Sequence, residues 1–131
     1  MNDVTPPSGS ALRTIYGALA AGVLLYALIV LFVLEPLDSG LAPAVMRTVW
    51  LVVALGAVLV AGMIRGRIGA GTAASITAPQ AAIVVWALAE GQALVGITAT
   101  LLTGDRVPSV AALALFAWLW ARYPPRAFTI G

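Results

Sequence analysis

Residues 81–102 read AAIVVWALAEGQALVGITATLL, and Glu90 carries the only ionisable side chain among them. At a rise of about 1.5 Å per residue, a helix of this length spans the ~30 Å hydrocarbon core of a bilayer. Lipid offers the backbone no hydrogen-bond partners, so a spanning segment must be a helix or a barrel strand. The run is too long and too continuously apolar for an alternating barrel strand. The stretch therefore predicts a transmembrane helix.

Three further apolar runs accompany this one, at about residues 12–34, 44–64 and 107–123, and turn-rich segments separate them. The chain has 131 residues, of which 62% are hydrophobic and only 9% are charged. Soluble domains carry about 25% charged residues, so this chain has too little charge to cover a surface in water. We predict an all-α integral membrane four-helix bundle over residues 12–123. A disordered cytosolic tail is expected at residues 1–11 and a short cytosolic tail at residues 124–131.

The arginines predict the orientation. All seven basic residues are arginine, which is typical of a GC-rich bacterial genome. With the N-terminus in the cytosol, five arginines lie on the cytosolic side and two outside. The cytosolic five are Arg13, Arg65, Arg67, Arg122 and Arg126, and the outer two are Arg47 and Arg106. The positive-inside rule then predicts a multi-pass protein of the bacterial cytoplasmic membrane with both termini in the cytosol. We expect the first run to be retained, because its apolar core is longer than that of a signal peptide.

The composition argues against metal or cofactor sites, nucleophilic catalysis and nucleic-acid binding. The chain contains neither cysteine nor histidine, which removes disulfides, iron–sulfur clusters and the commonest metal and haem ligands. Serine and threonine are present, but no base is available to activate them as nucleophiles. The scattered arginines form no stripe that would follow a phosphate backbone. We therefore expect no enzyme, no metal, no cofactor and no nucleic-acid partner.

Glu90 lies close to the expected bilayer midplane, where a charged group is costly. Removal from water favours the protonated form of a carboxyl. Three interpretations stay open. Glu90 binds a proton or cation, with Gln92 beside it; or it is a protonated group that hydrogen-bonds a neighbouring helix; or it forms a buried ion pair with Arg47. Intramembrane acids of all three kinds face a bundle interior or a partner.

Small residues line one face of the same helix. Ala89, Ala93, Gly96 and Thr100 are separated by four, three and four positions, which places them on one side of a helix. Small side chains let helix backbones approach closely in membranes. The spacing predicts a helix-packing face.

The segment Trp86–Gly96 resembles the second helix of the F-type ATP synthase c subunit (the proteolipid), in which a membrane-embedded acid lies in a pattern like A-x-x-E-A-x-x-I-x-G. The matching residues are Ala87, Glu90, Gly91, Leu94 and Gly96, with glycine in place of the usual alanine and leucine in place of isoleucine. The resemblance implies that Glu90 carries a proton or sodium ion within a homo-oligomer.

The whole chain also resembles a group of small uncharacterised bacterial four-helix membrane proteins. In that group an A-L-x-E-G-x-A-L-like third helix precedes T-G and a final helix that ends in R-x-P. The corresponding residues here are Leu88–Gly91, Ala93, Leu94, Thr103-Gly104 and Arg122-Tyr123-Pro124. This resemblance implies a fold and no activity.

Two functions follow as hypotheses. The first is a c-subunit-like membrane protein whose Glu90 binds a proton or cation in a homo-oligomer. The second is a structural or accessory subunit that packs against a larger membrane complex. Lipid or pigment binding ranks behind both, since no histidine can ligate a chlorin or haem.

Overall fold

The computed structural model describes residues 9–69 and 77–128, and the regular structure in these ranges is entirely helical. The elements are α1 (Gly9–Leu28) with a π-helical turn at Ile29–Val33, α2 (Pro43–Gly69), α3 (Ala78–Thr103), α4 (Val107–Arg122) and a 3₁₀ turn at Pro125–Ala127. Three segments are long and apolar enough to cross a membrane: Ser10–Val33, Pro43–Arg67 and Ala78–Thr103. The predicted all-α fold with four helices is confirmed over the described ranges.

Three helix ends differ from the predicted ones by three or more residues, because a helix and its apolar run need not coincide. The helix α1 begins at Gly9 instead of residue 12. The helix α2 continues to Gly69 instead of ending at residue 64, since arginine ends an apolar run but is a good helix former. The helix α3 begins at Ala78 instead of residue 81. There Thr77 and Gln80 form a capping box, with each side chain bonded to the other residue's backbone N–H at 3.3 and 3.1 Å.

The predicted tails fall partly outside the described residues, which leave out residues 1–8 and 129–131. Residues 9–11 already belong to α1. The helix α4 ends before Pro124-Pro125, because proline cannot continue a helix. The residues that follow turn back and pack against the bundle. Phe128 is only 3% exposed, and its ring centroid lies 6.1 Å from that of Trp86.

The helix α3 is the centre of the bundle, because α1, α2 and α4 all pack against it. Its buried face is formed mainly of small and aliphatic side chains. The sequence predicted Ala89, Ala93, Gly96 and Thr100 on one face, and all four are buried. Because α3 contacts each of the other helices, its rotation decides which side chains point inward.

The helices α3 and α4 approach each other closely at Gly96. A Cβ atom built on Gly96 would clash with the Cβ of Ala112 and lie 2.7 Å from the carbonyl oxygen of Pro108. The turn that joins the two helices is short, and Gly104 ends α3 with a left-handed φ of 76°. Glycine at both positions lets α4 fold back directly onto α3.

The two ends of the bundle are held differently. We call one the aromatic end, where the rings of Tyr16, Trp86, Phe116, Trp120, Tyr123 and Phe128 pack together. The other, which we call the turn end, carries the α1–α2 loop and the α3–α4 turn. There the N–H of Leu37 donates to the Leu101 carbonyl at 2.7 Å, and the Ser39 hydroxyl donates to the Leu102 carbonyl at 2.6 Å. These bonds fasten the α1–α2 loop to the end of α3.

We expect Gly96→Ala to lower the stability of the bundle by about 1–3 kcal/mol, because the added methyl forces α4 away from α3. Thermal unfolding in a mild detergent measures the change. Gly56→Ala is the matched control, since a Cβ at this mid-helix glycine of α2 meets no atom within 4 Å. An equal loss in both variants would contradict close packing at Gly96.

Candidate functional site

Glu90 lies on a half-exposed strip of α3, on the side away from α4. We call this the outer strip and define it by Ala87, Glu90, Gly91, Leu94 and Thr98, which are all half-buried or exposed. Successive residues of an α-helix are about 100° apart, so these five cover one contiguous sector of its surface. The sector adjoins the buried face, and Glu90 lies at its border.

The carboxyl of Glu90 has no hydrogen bond or ion pair to any other described residue. It stands halfway along the 26-residue α3, far from both ends of the helix. In a helix that spans a bilayer, a carboxyl at this position is protonated or neutralised, since an unpaired charge there is costly. The described residues supply no neutralising group for Glu90.

Gln92, which was predicted to bind an ion together with Glu90, faces the opposite side of α3. The two positions are about 200° apart on the helix. Gln92 is fully buried, where its amide nitrogen donates to the Ala112 carbonyl at 3.0 Å and its oxygen accepts from the Trp50 indole at 3.1 Å. Gln92 thus links α2, α3 and α4, and the structure does not bring it together with Glu90.

Arg47, the candidate ion-pair partner of Glu90, binds Asp105 instead. Its guanidinium donates twice to the Asp105 carboxylate, at 2.6 and 3.0 Å. The pair lies at the turn end, whereas Glu90 is about 20 Å along the axis from the end of α3. The predicted Glu90–Arg47 pair is therefore wrong, because Arg47 lies near the start of α2, where it pairs with Asp105 of the α3–α4 turn.

A second polar chain runs along the α3–α4 contact. The Ser109 hydroxyl donates to the Thr100 hydroxyl, which donates to the Asp105 carbonyl at 2.7 Å. No buried side-chain nitrogen or oxygen among the described residues lacks a partner. Trp50, Ser109 and Asp105 were not predicted as hydrogen-bond partners. The sequence indicates such partners only through Gln92, because a buried amide needs a donor and an acceptor from neighbouring helices.

No side chain of the described residues covers α3 at Gly91, next to Glu90, since a Cβ built on Gly91 meets no atom within 4 Å. The described residues contain no group of three or more acidic side chains that could hold a metal ion. One carboxyl alone suits a proton, whereas a bare cation needs several oxygen ligands.

No protein-family model matches the chain, and no curated protein or solved structure shows significant similarity to it. The chemistry of the outer strip is therefore inferred from its own residues, and the resemblance of α3 to the c subunit stays a prediction.

The Arg47–Asp105 pair predicts a pH-dependent stability. The hydrogen bond from Arg47 holds the pKa of the Asp105 carboxyl below its ordinary value of 3.8, against a smaller opposing effect of burial. A carboxyl whose pKa is lowered by folding stabilises the fold above its ordinary pKa, and this contribution is lost as the pH falls through the lowered pKa. We expect a small effect, since the Arg47 side chain is 50% exposed.

The test compares wild type with Asp105→Asn, which retains an oxygen for the Val107 N–H. The variant should melt at a lower temperature than wild type at neutral pH, and this gap should close below pH 3.8. Asp38→Asn, at the same end, is the control and should show no gap. A gap that is independent of pH would show that the charge of Asp105 contributes nothing.

Proposed function

We propose that this protein is a multi-pass protein of the bacterial cytoplasmic membrane whose Glu90 binds a proton at a contact between copies of the chain. The membrane location is supported by the three long apolar helices and by their outward surfaces. Large apolar side chains cover the outside of α1 and α2, among them Leu24, Leu25, Phe32, Leu51, Val52 and Leu55, each more than half exposed. A surface of this kind suits lipid and not water.

The observation that carries the proposal is the position of Glu90: half-buried, midway along α3, and without a partner in the described chain. In lipid, the simplest way to neutralise such a carboxyl is a bound proton. Because the side chain reaches the outer strip, the proton can be exchanged with a group of a neighbouring subunit. A carboxyl enclosed in the core would lack that route.

The flanking residues support contact with another helix. Gly91 and Ala87 put little bulk on the outer strip, and small residues let two membrane helices approach closely. In a homo-oligomer the same strip of a second copy, or another face of it, would cover Glu90. The second candidate function, an accessory subunit, rests on the same strip. There a different and larger membrane protein would cover it.

Carbodiimide labelling tests the proton site, because the reagent needs a protonated carboxyl in an apolar surrounding. In native membranes Glu90 should be labelled at neutral pH, and labelling should fade as the pH rises. Glu90→Gln should fold normally and lose the label completely. Mass spectrometry locates the modification, with the exposed Glu35 and Asp38 of the turn end as internal controls. Labelling of those two without labelling of Glu90 would refute a protonated Glu90.

Cysteine crosslinking separates the two candidate partners, since the natural chain has no cysteine to interfere. A Gly91→Cys variant should form disulfide-linked dimers in the homo-oligomer. Gly56→Cys, at a similar depth on α2, serves as the control. A crosslink from Gly91→Cys to a different protein, with no dimer, would favour the accessory subunit.

The orientation is a further part of the proposal. The arginines of the aromatic end outnumber those of the turn end by five to two, so the positive-inside rule puts the aromatic end and both termini in the cytosol. A reporter that is active only in the cytosol, fused after Gly131, should be active. A fusion that is stably expressed but silent, paired with activity of a periplasmic reporter at the same site, would reverse the orientation.

A further inference from the structure

A groove runs between α1 and α4, and neither α2 nor the outer strip contributes to it. Its volume is about 490 Å³. Ala20 and Leu24 of α1 form one wall, Leu113 and Ala117 of α4 form the other, and Tyr16 and Trp120 lie at its end. Small side chains at Ala20 and Ala117 open the space. An elongated apolar ligand would fit such a groove.

The groove offers its contents almost no polar contact. The Tyr16 hydroxyl, which lies at the aromatic end, already donates to the Trp120 carbonyl. The Tyr16 ring stacks on the Trp120 ring with centroids 4.4 Å apart, and Phe116 stacks on the far side of Trp120 at 4.6 Å. These rings form the wall of the groove at the aromatic end. A hydrocarbon chain, which needs no hydrogen bond, is the group that such walls accept.

Two arginines lie where the groove meets the aromatic end. Arg13 precedes Tyr16 by three residues and shares the helix face of Tyr16, Ala20 and Leu24. Arg126 lies in the 3₁₀ turn at Pro125–Ala127, which follows α4 and contacts α1. Both arginines are exposed.

We propose that the α1–α4 groove binds one acyl chain of an anionic phospholipid, whose phosphate is held by Arg13 and Arg126. Guanidinium groups bind phosphate oxygens in bidentate fashion, and tyrosine and tryptophan prefer the depth of the lipid headgroups. A second copy of the chain fits less well in a symmetric contact, since it would set the same arginines against each other. Glu90 does not line the groove, so a test of lipid binding is independent of the proposed proton site.

The test uses the purified full-length protein in mild detergent, offered phosphatidylglycerol or phosphatidylcholine with identical acyl chains. Native mass spectrometry counts the lipids that stay bound. Wild type should retain phosphatidylglycerol in preference to phosphatidylcholine. Arg13→Gln and Arg126→Gln should each weaken phosphatidylglycerol binding about fivefold, the effect expected for one arginine at an anionic headgroup.

Two controls separate the site from general charge attraction. Arg65→Gln removes one positive charge from the same end, but α2 contributes nothing to the groove, so retention should not change. Ala117→Phe fills the groove without changing the charge and should weaken binding of both lipids. Equal losses in Arg65→Gln and Arg13→Gln would overturn the headgroup site. Unchanged retention in Ala117→Phe, with its fold verified by thermal melting, would overturn the acyl-chain site.

Discussion

The contact between α3 and α4 at Gly96 constrains the rest of the bundle. In lipid, burial of apolar side chains gives helices little reason to associate, so close packing and hydrogen bonds must hold them together. At Gly96 the two backbones approach so closely that even a methyl group would clash. This approach is what lets Gln92 reach the Ala112 carbonyl and Ser109 reach Thr100. Without it, these buried polar groups would lose their partners.

The same contact explains why Gln92 is buried and Glu90 is not, although the two residues are only two positions apart. With Gly96 turned toward α4, Gln92 points into the core, where the Trp50 indole and the Ala112 carbonyl satisfy it. Glu90, about 200° away, is turned to the border of the outer strip. Packing explains Gln92 completely. No contact within the described chain explains why an acid occupies position 90, and the proposed binding of a proton at a contact with another chain would account for it.

The sequence predicted best those features that depend on a single helix. Run length and continuous apolarity predicted four helices, and the spacing of Ala89, Ala93, Gly96 and Thr100 predicted a set of residues that is buried together. It predicted worst the side-chain contacts that depend on how two or more helices pack together. The partner of Arg47 depends on how α2 stands against the α3–α4 turn, and the bonds of Gln92 depend on the rotation of three helices. The spacing of residues within one helix does not contain that information.

The two proposed sites differ in depth and in the helices that form them. Glu90 lies at mid-helix on α3, whereas the groove of Tyr16 and Trp120 opens at the aromatic end between α1 and α4. Because the groove takes no residue from the outer strip, copies that meet through α3 would leave it open to lipid. The arginines at its end would then stay at the headgroup level, where anionic lipids of the cytosolic leaflet are available. Protein contact through one face and lipid contact through the other are therefore compatible in one assembly.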